Sequence, residues 1–173
     1  GSRLLLHESI SSKVEKKILS RMKKLRFGNP LDKSIDMGPL ISLEQLNLVK
    51  RLVKSGLEGG ADIYQCDMPP LLKGYFYPPT LLKNVSPSME IFQQEIFGPV
   101  LSSTTFRTPE EAVALANNSR YGLSASIWSE NINLALDISP KLKVGVVWIN
   151  STNVFDAAVG FGGYRESGYG REG

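Results

Sequence analysis

Apolar residues near the start of the chain recur every three or four positions, which is the spacing of one face of an α-helix. This apolar stripe consists of Val14, Ile18, Met22 and Leu25. A basic stripe lies one position earlier at Lys13, Lys17, Arg21 and Lys24. A helix with two such faces packs its apolar side on a core and keeps its charges in water. The pattern therefore predicts an amphipathic helix with a solvated basic face.

A second helix is predicted to begin at Ser42. The residues Ser42–Gln45 match a capping box, in which the serine oxygen and the glutamine side chain satisfy free amide donors. The buried stripe of this helix is Leu46, Val49 and Val53, and Gly59-Gly60 ends it. A short strand is predicted at Asp62–Gln65, and the proline-rich stretch Met68–Pro79 is predicted to be irregular.

Strands and helices alternate in the second half of the chain. Strands are predicted at Val100–Phe106, Leu123–Trp128 and Val144–Ile149, with helices that begin after Thr108 and at Asn131. Short links between alternating strands and helices indicate parallel pairing with right-handed crossovers. The last strand is apolar on both faces, which predicts a central position covered on both sides. The fold class is therefore α/β, with a mostly parallel twisted sheet flanked by helices.

Composition narrows the class of protein. The chain has 173 residues, 42% of them hydrophobic, and a net charge of +3, which is typical of one globular domain or of a piece of a larger one. The first 54 residues carry 12 basic and 5 acidic side chains, but no interleaved aromatics support nucleic-acid binding. No apolar run approaches the roughly 18 residues of a membrane span. The lone Cys66 excludes a disulfide scaffold and fits a reducing, cytoplasmic compartment.

Three features that suggest chemistry have simpler explanations. His7 is the only histidine and has no cluster of other ligands at metal-binding spacing, so no metal site is expected. Cys66 has no adjacent base or helix start to activate it, so it is interpreted as an incidental thiol. The run from Gly168 to Gly173 matches G-x-G-x-x-G, but no strand precedes it and no helix follows within it. The run is therefore predicted not to bind a dinucleotide.

The segment from Gln94 to Val100 is the strongest local candidate. Glu95 and Phe97 lie on a turn that Gly98-Pro99 stiffens before a predicted strand. A carboxylate can accept two hydrogen bonds from a ribose diol, and an aromatic ring can flank a planar cofactor. Packing of Phe97 and a loop ion pair at Glu95 explain the same residues equally well, so local chemistry leaves both interpretations open.

Four motifs, in this order and spacing, resemble those of the aldehyde dehydrogenase superfamily. They are Glu95–Val100, Asn118–Ala125, Gly145–Asn150 and Phe161–Glu172. The resemblance covers the whole chain. The segment Asn153–Gly160 most resembles aldehyde dehydrogenase family 16, a subgroup that carries a second dehydrogenase-like region.

The resemblance implies an enzyme that oxidises aldehydes to carboxylic acids with NAD or NADP. In this family a cysteine thiolate attacks the aldehyde, the thiohemiacetal passes hydride to the nicotinamide, and a glutamate-activated water hydrolyses the thioester. The nucleophile, the general base and the coenzyme-binding domain are expected before Gly1. Residues 1–173 are thus expected to be a single segment of the catalytic domain, inactive alone, and the full-length parent a homo-oligomer.

The resemblance also implies roles for individual residues. Glu95 corresponds to the carboxylate that binds the nicotinamide ribose, and Phe97 to the ring against which the nicotinamide rests. Glu172 corresponds to a buried glutamate proposed to relay protons from the catalytic water. The substrate tunnel would be lined by Asn153, Phe155 and Phe161.

Two departures from the family pattern affect the tunnel. Arg165 stands where a lysine is usual, and Thr152 where an aromatic is frequent. A second hypothesis is a catalytically inactive homologue that acts as a scaffold or binding partner, because some family 16 members lack the nucleophile. The presence of Glu95, Phe97 and Glu172 favours the enzyme.

Overall fold

The structure is a computed structural model that describes residues 2–68 and 73–172. The chain forms two compact units, one ending at Phe106 and the other beginning at Arg107. Part of the predicted irregular stretch Met68–Pro79 and the terminal Gly173 lie outside the described residues. No helix among the described residues is long and apolar enough to cross a membrane.

A four-stranded sheet with three helices makes up the first unit. Its elements are β1 (Arg3–His7), α1 (Glu8–Met22), α2 (Leu43–Glu58), β2 (Asp62–Gln65), β3 (Thr80–Lys83), α3 (Glu90–Gln93) and β4 (Val100–Phe106). The strand order is β1-β4-β3-β2. Both neighbours of β4 run parallel to it, and β2 is antiparallel to β3 at the edge. The mostly parallel α/β class is confirmed.

The two helices predicted near the start of the chain are confirmed. On α1, Lys13 and Lys17 are exposed and Met22 is buried, as the two stripes predict, but the helix ends at Met22 and the last residue of the apolar stripe, Leu25, is exposed beyond it. The apolar stripe of α2 enters the core of the unit, which it shares with β3 and α3. The fully buried apolar side chains of this core include Val49, Leu52, Leu81, Leu82, Val85, Ile91, Phe92 and Ile96.

The predicted partners of β4 are wrong. We expected Val100–Phe106 to pair with the later strands, but it lies between β1 and β3. Neither of those strands was predicted. β1 has five residues, of which only the three central leucines are apolar, and it passes directly into α1 without turn residues, whereas β3 follows a proline-rich stretch. Strands close in sequence pair often but not always, and here β1 and β3, which were not predicted, pair with β4 on its two sides.

The second unit contains shorter elements. They are α4 (Pro109–Asn117), β5 (Tyr121–Gly122), β6 (Ser124–Ile127), α5 (Ile132–Ile138), a 3₁₀ turn (Ser139–Lys141), β7 (Val146–Ile149) and β8 (Tyr164–Arg165). The cap predicted at Thr108 is confirmed, and Asn131 caps α5 in the same way. Thr108 accepts a hydrogen bond from the Glu111 amide at 3.2 Å, and Asn131 accepts one from the Leu134 amide at 3.1 Å.

The predicted parallel pairing in this half is confirmed for β6 and β7, which α5 connects. The prediction of a central strand covered on both sides is wrong. Within the described residues β7 pairs with β6 alone, and its four side chains are half-buried. A short apolar run predicts a strand with shielded side chains, but it does not predict how many strands pair with it.

Candidate functional site

The turn between α3 and β4 buries one side chain and exposes the two beside it. Ile96 is completely buried, whereas Glu95 is exposed and the Phe97 ring is 71% exposed. Phe97 has a φ of 49°, in the left-handed region that bulky residues rarely adopt. A backbone of this kind costs of order 1–3 kcal/mol and persists only where its surroundings hold it.

A side chain from α2 holds this turn. The Gln45 amide Nε2 donates to the carbonyl of Ile96 at 2.8 Å and to the carbonyl of Phe97 at 3.2 Å. The capping box is therefore only half formed. The Ser42 hydroxyl accepts from the Gln45 backbone amide at 3.2 Å, as predicted, but the Gln45 side chain does not cap its own helix. It reaches a turn 51 residues away, a contact that helix-start patterns cannot signal.

Two further contacts fix the same turn. A Cβ atom at Gly98 would lie 2.8 Å from Cγ2 of Val49, so only glycine fits against α2. The carbonyl of Pro99 accepts a hydrogen bond from the Thr80 amide at 2.8 Å, which ties the turn to β3. The turn is thus braced from a helix on one side and from a strand on the other.

The exposed groups of the turn suit a ligand with a hydroxylated part and a planar part. No hydrogen-bond donor or cation within the described ranges, 2–68 and 73–172, bonds to the Glu95 carboxylate. Its two oxygens can accept a pair of hydroxyl donors. The ring of Phe97 offers an apolar face a short distance along the same turn. The sequence predicted both residues as site candidates, and the structure places both in solvent.

In the second unit, an aromatic ring on β7 is followed by two more on the segment after it, and the three rings contact one another in series. The rings of Trp148 and Phe155 are 5.7 Å apart, and those of Phe155 and Phe161 are 5.2 Å apart, both edge to face. The indole N–H of Trp148 donates to the carbonyl of Val154 at 2.8 Å. Two of the predicted tunnel residues are thus in ring contact. Trp148, which was not singled out as a tunnel residue, extends the cluster.

The loop that carries this cluster begins with two left-handed asparagines. Asn150 and Asn153 have φ values of 51° and 54°, which asparagine tolerates better than most residues. The Asn150 side chain accepts from the amide of Ser129 and donates to its carbonyl, each at 2.9 Å. Asn150 therefore fixes the exit from β7, and Asn153 lies two residues before Phe155 on the loop.

Glu172 is held beside Phe161 through the backbone. The amide of each residue donates to the carbonyl of the other, at 2.8 and 2.6 Å, in an antiparallel bridge. The Glu172 side chain is exposed, which differs from the buried position that the resemblance implied. The preceding glycine-rich loop is tightly folded, because a Cβ at Gly162 would overlap the carbonyl of Gly170. The Arg171 guanidinium clamps it by donating to the Gly163 and Gly170 carbonyls at 2.7 and 2.8 Å.

Cys66 belongs to the first unit and directly follows the last residue of β2. Burial and the charge of Asp67 raise the pKa of the Cys66 thiol. A raised pKa leaves less thiolate at neutral pH, so the environment works against nucleophilic chemistry. Over residues 2–68 and 73–172, no group of three or more metal-ligating side chains is arranged to hold an ion.

Comparison with known proteins gives consistent relatives. A sequence model described as the aldehyde dehydrogenase family matches residues 1–173. Aldehyde dehydrogenase B of Escherichia coli is 42% identical over 176 residues, which cover 99% of this chain and 34% of that protein. Betaine aldehyde dehydrogenase of Bacillus subtilis is 38% identical over 176 residues, 99% of this chain and 36% of that protein.

The solved structures give the same result. Betaine aldehyde dehydrogenase of Staphylococcus aureus, in complex with NAD⁺, is 41% identical and superposes with a TM-score of 0.94. The match covers 99% of this chain and 35% of that one. The chain thus spans about a third of the length of these relatives, with coverage between 34% and 36%.

Proposed function

The chain belongs to the aldehyde dehydrogenase family, and from that membership we propose that it forms part of an enzyme that oxidises an aldehyde to a carboxylic acid with NAD or NADP. The observation that carries this proposal is the braced turn at Glu95 and Phe97, which presents a carboxylate and an aromatic ring to solvent. A strained, externally supported backbone is typical of a position where a side chain must point in one direction.

We assign the two residues of this turn to the cofactor. Glu95 would accept hydrogen bonds from the hydroxyls of the nicotinamide ribose, and Phe97 would support the nicotinamide ring. When bound, NAD(P) supplies the hydride acceptor of the oxidation. The absence of a competing donor at Glu95 within the described residues supports this role, because the carboxylate need not break an ion pair to bind.

We assign the loop after β7 to the aldehyde. Phe155 and Phe161 are the proposed walls of the substrate tunnel, and Asn153 contributes from the left-handed position before them. The edge-to-face contact with Trp148 supports the ring of Phe155. Rings that pack edge to face hold one another's orientation, so the aromatic cluster would exclude water beside the aldehyde.

We propose that Glu172 holds and passes on a proton during hydrolysis of the thioester. Its backbone bridge to Phe161 ties it to the proposed tunnel wall, and its carboxylate is a group that can accept a proton from water. The thiol nucleophile is assigned to residues outside these 173, as the resemblance implies, and the raised pKa of the Cys66 thiol agrees with that assignment.

We further propose that the complete protein is a cytoplasmic homo-oligomer of aldehyde dehydrogenase family 16. The presence of only one cysteine among these 173 residues supports a reducing compartment. The residues Asn153–Gly160 support the subgroup. Light scattering of the complete protein measures its oligomeric state, and its sequence tests the subgroup through the second dehydrogenase-like region.

The decisive experiment is an assay of the complete protein with NAD or NADP and a panel of aldehydes, following the absorbance of the reduced cofactor. We expect turnover that thiol alkylation abolishes and that Glu95→Gln weakens through a higher KM for the cofactor. The Cys66→Ser variant is the matched control and should keep its activity.

The same assay separates the enzyme from an inactive homologue. Cofactor binding without turnover, weakened by Glu95→Gln, would indicate a scaffold that kept the cofactor site and lost the chemistry. Absence of both turnover and cofactor binding would contradict the proposed function altogether.

A further inference from the structure

The two carbonyls that Gln45 holds belong to the two peptide planes that meet at Phe97. The plane before Phe97 carries the carbonyl of Ile96, and the plane after it carries the carbonyl of Phe97. One donor, Nε2 of Gln45, bonds both, at 2.8 and 3.2 Å. Because φ and ψ of Phe97 are the rotations between these planes, this single amide restrains both torsions of the strained residue.

The donor itself is well fixed. The backbone amide of Gln45 is hydrogen-bonded to the Ser42 hydroxyl at the start of α2, and its side chain is half-buried. One turn further along the same helix, Val49 packs so closely on Gly98 that the turn cannot carry a Cβ there. The first two turns of α2 therefore form a rigid support for the turn.

We propose that Gln45 is a positioning residue for the cofactor, one that sets the directions of the Phe97 ring and the Glu95 carboxylate. This inference rests on the proposed function, because it assumes that the turn binds NAD or NADP. Gln45 acts through the backbone of the turn. Ile96 is completely buried in the core through its own side chain, so we expect loss of the amide to release Phe97 while leaving the unit folded.

The test is a comparison of glutamine-to-methionine variants in the complete protein. Methionine keeps the length of the side chain and removes the donor. For Gln45→Met, which removes both hydrogen bonds, we expect the Kd for NAD or NADP, measured by titration, to rise about tenfold. The KM for the aldehyde should change less than about twofold.

The matched control is Gln93→Met. Gln93 also donates its amide to a backbone carbonyl, that of Pro87, at 2.9 Å, but it does not touch the carbonyls of the turn. We expect this variant to bind the cofactor like the wild type. If Gln45→Met fails to fold, as judged by circular dichroism, Gln45→Asn keeps a polar amide but withdraws it from the carbonyls. We expect it to weaken cofactor binding in the same way.

A combined variant identifies the route of the effect. If Gln45 acts by aiming Glu95 and Phe97, then Gln45→Met should weaken binding far less in a background that carries both Glu95→Gln and Phe97→Ala than in the wild type. Equal effects in the two backgrounds, or equal binding by Gln45→Met and Gln93→Met, would overturn the inference while leaving the proposed function intact. Wild-type protein that binds neither cofactor, or a Glu95→Gln variant that binds like the wild type, would overturn the proposed function and the inference with it.

Discussion

Alanine at position 98 should push the turn off its supporting helix. An added Cβ would lie 2.8 Å from Cγ2 of Val49, whereas ordinary contact begins at 3.4 Å, so one group must retreat by about 0.6 Å. Neither can do so freely. Val49 is fully buried and its β-branched side chain is stiff in a helix, and the residue after Gly98 is tied to Thr80.

The cost of Gly98→Ala follows from this overlap. Overpacking of a buried site typically lowers the free energy of unfolding by about 1–3 kcal/mol. Val49→Ala removes the overlapping methyl groups and, by itself, should cost about 2 kcal/mol through lost burial. With both changes the new Cβ has space, because its next neighbour outside Val49 is Leu40 at an ordinary 3.8 Å. The double variant should therefore be more stable than the sum of the single effects predicts, by about 1–3 kcal/mol.

Urea unfolding of the complete protein measures all three variants, with cofactor titration as a second readout. Gly170→Ala is the matched control, because a Cβ there has no neighbour within 4 Å, and it should be neutral or stabilising by up to about 1 kcal/mol. Additivity of Gly98→Ala and Val49→Ala within about 0.5 kcal/mol would refute the reasoning that these two residues are in close contact. We also expect Gly98→Ala to weaken cofactor binding, since it displaces the turn.

Three further predictions follow from groups outside the turn. Cys66 should react with iodoacetamide at pH 7.5 more slowly than a free thiol such as glutathione, and Cys66 of Asp67→Asn should react faster than Cys66 of the wild type. Mass spectrometry follows the modification, and an unchanged rate in the variant would contradict the role of Asp67. Hydrogen bonds and charge from Arg26 lower the pKa of the Asp36 carboxyl in the folded protein. The stabilisation that Asp36 provides is therefore present above the pKa it has in the unfolded chain, and it is lost as the pH falls through its pKa in the folded protein. Carboxyl NMR should show the pKa of Asp36 rising in Arg26→Gln. Thr108→Ala should lower the free energy of unfolding by about 1 kcal/mol through loss of the cap on α4, whereas Thr108→Ser should retain most of it, with the urea midpoint as the measurement.

Local sequence determined the structural elements that depend only on residues a few positions apart in the chain. The helix caps at Ser42, Thr108 and Asn131 each require an oxygen two or three residues before an amide, and all three form. The apolar stripe of α2 depends only on helical spacing, and it enters the core as predicted. Glu95 and Phe97 could be singled out for the same reason, since the stiff Gly98-Pro99 step and the strand after it are adjacent in the chain.

Tertiary structure decided which distant segments meet. β4 pairs with β1 across about 100 residues of chain, and no local pattern ranks that strand above the nearer ones that we expected. The Gln45 amide had two uses compatible with its sequence, the cap of its own helix and a carbonyl elsewhere. The fold brought the carbonyls of Ile96 and Phe97 within reach and thereby selected the second.

The same limit applies to the left-handed backbone of Phe97. Its sequence predicts an ordinary conformation, because an aromatic residue at positive φ is unfavourable when the chain is considered alone. It is adopted because α2 and β3 hold the residues on either side. Sequence by itself therefore determined which side chains could do chemistry. Packing between segments far apart in the chain determined the directions in which those side chains point, because only contacts across the fold can offset the local strain.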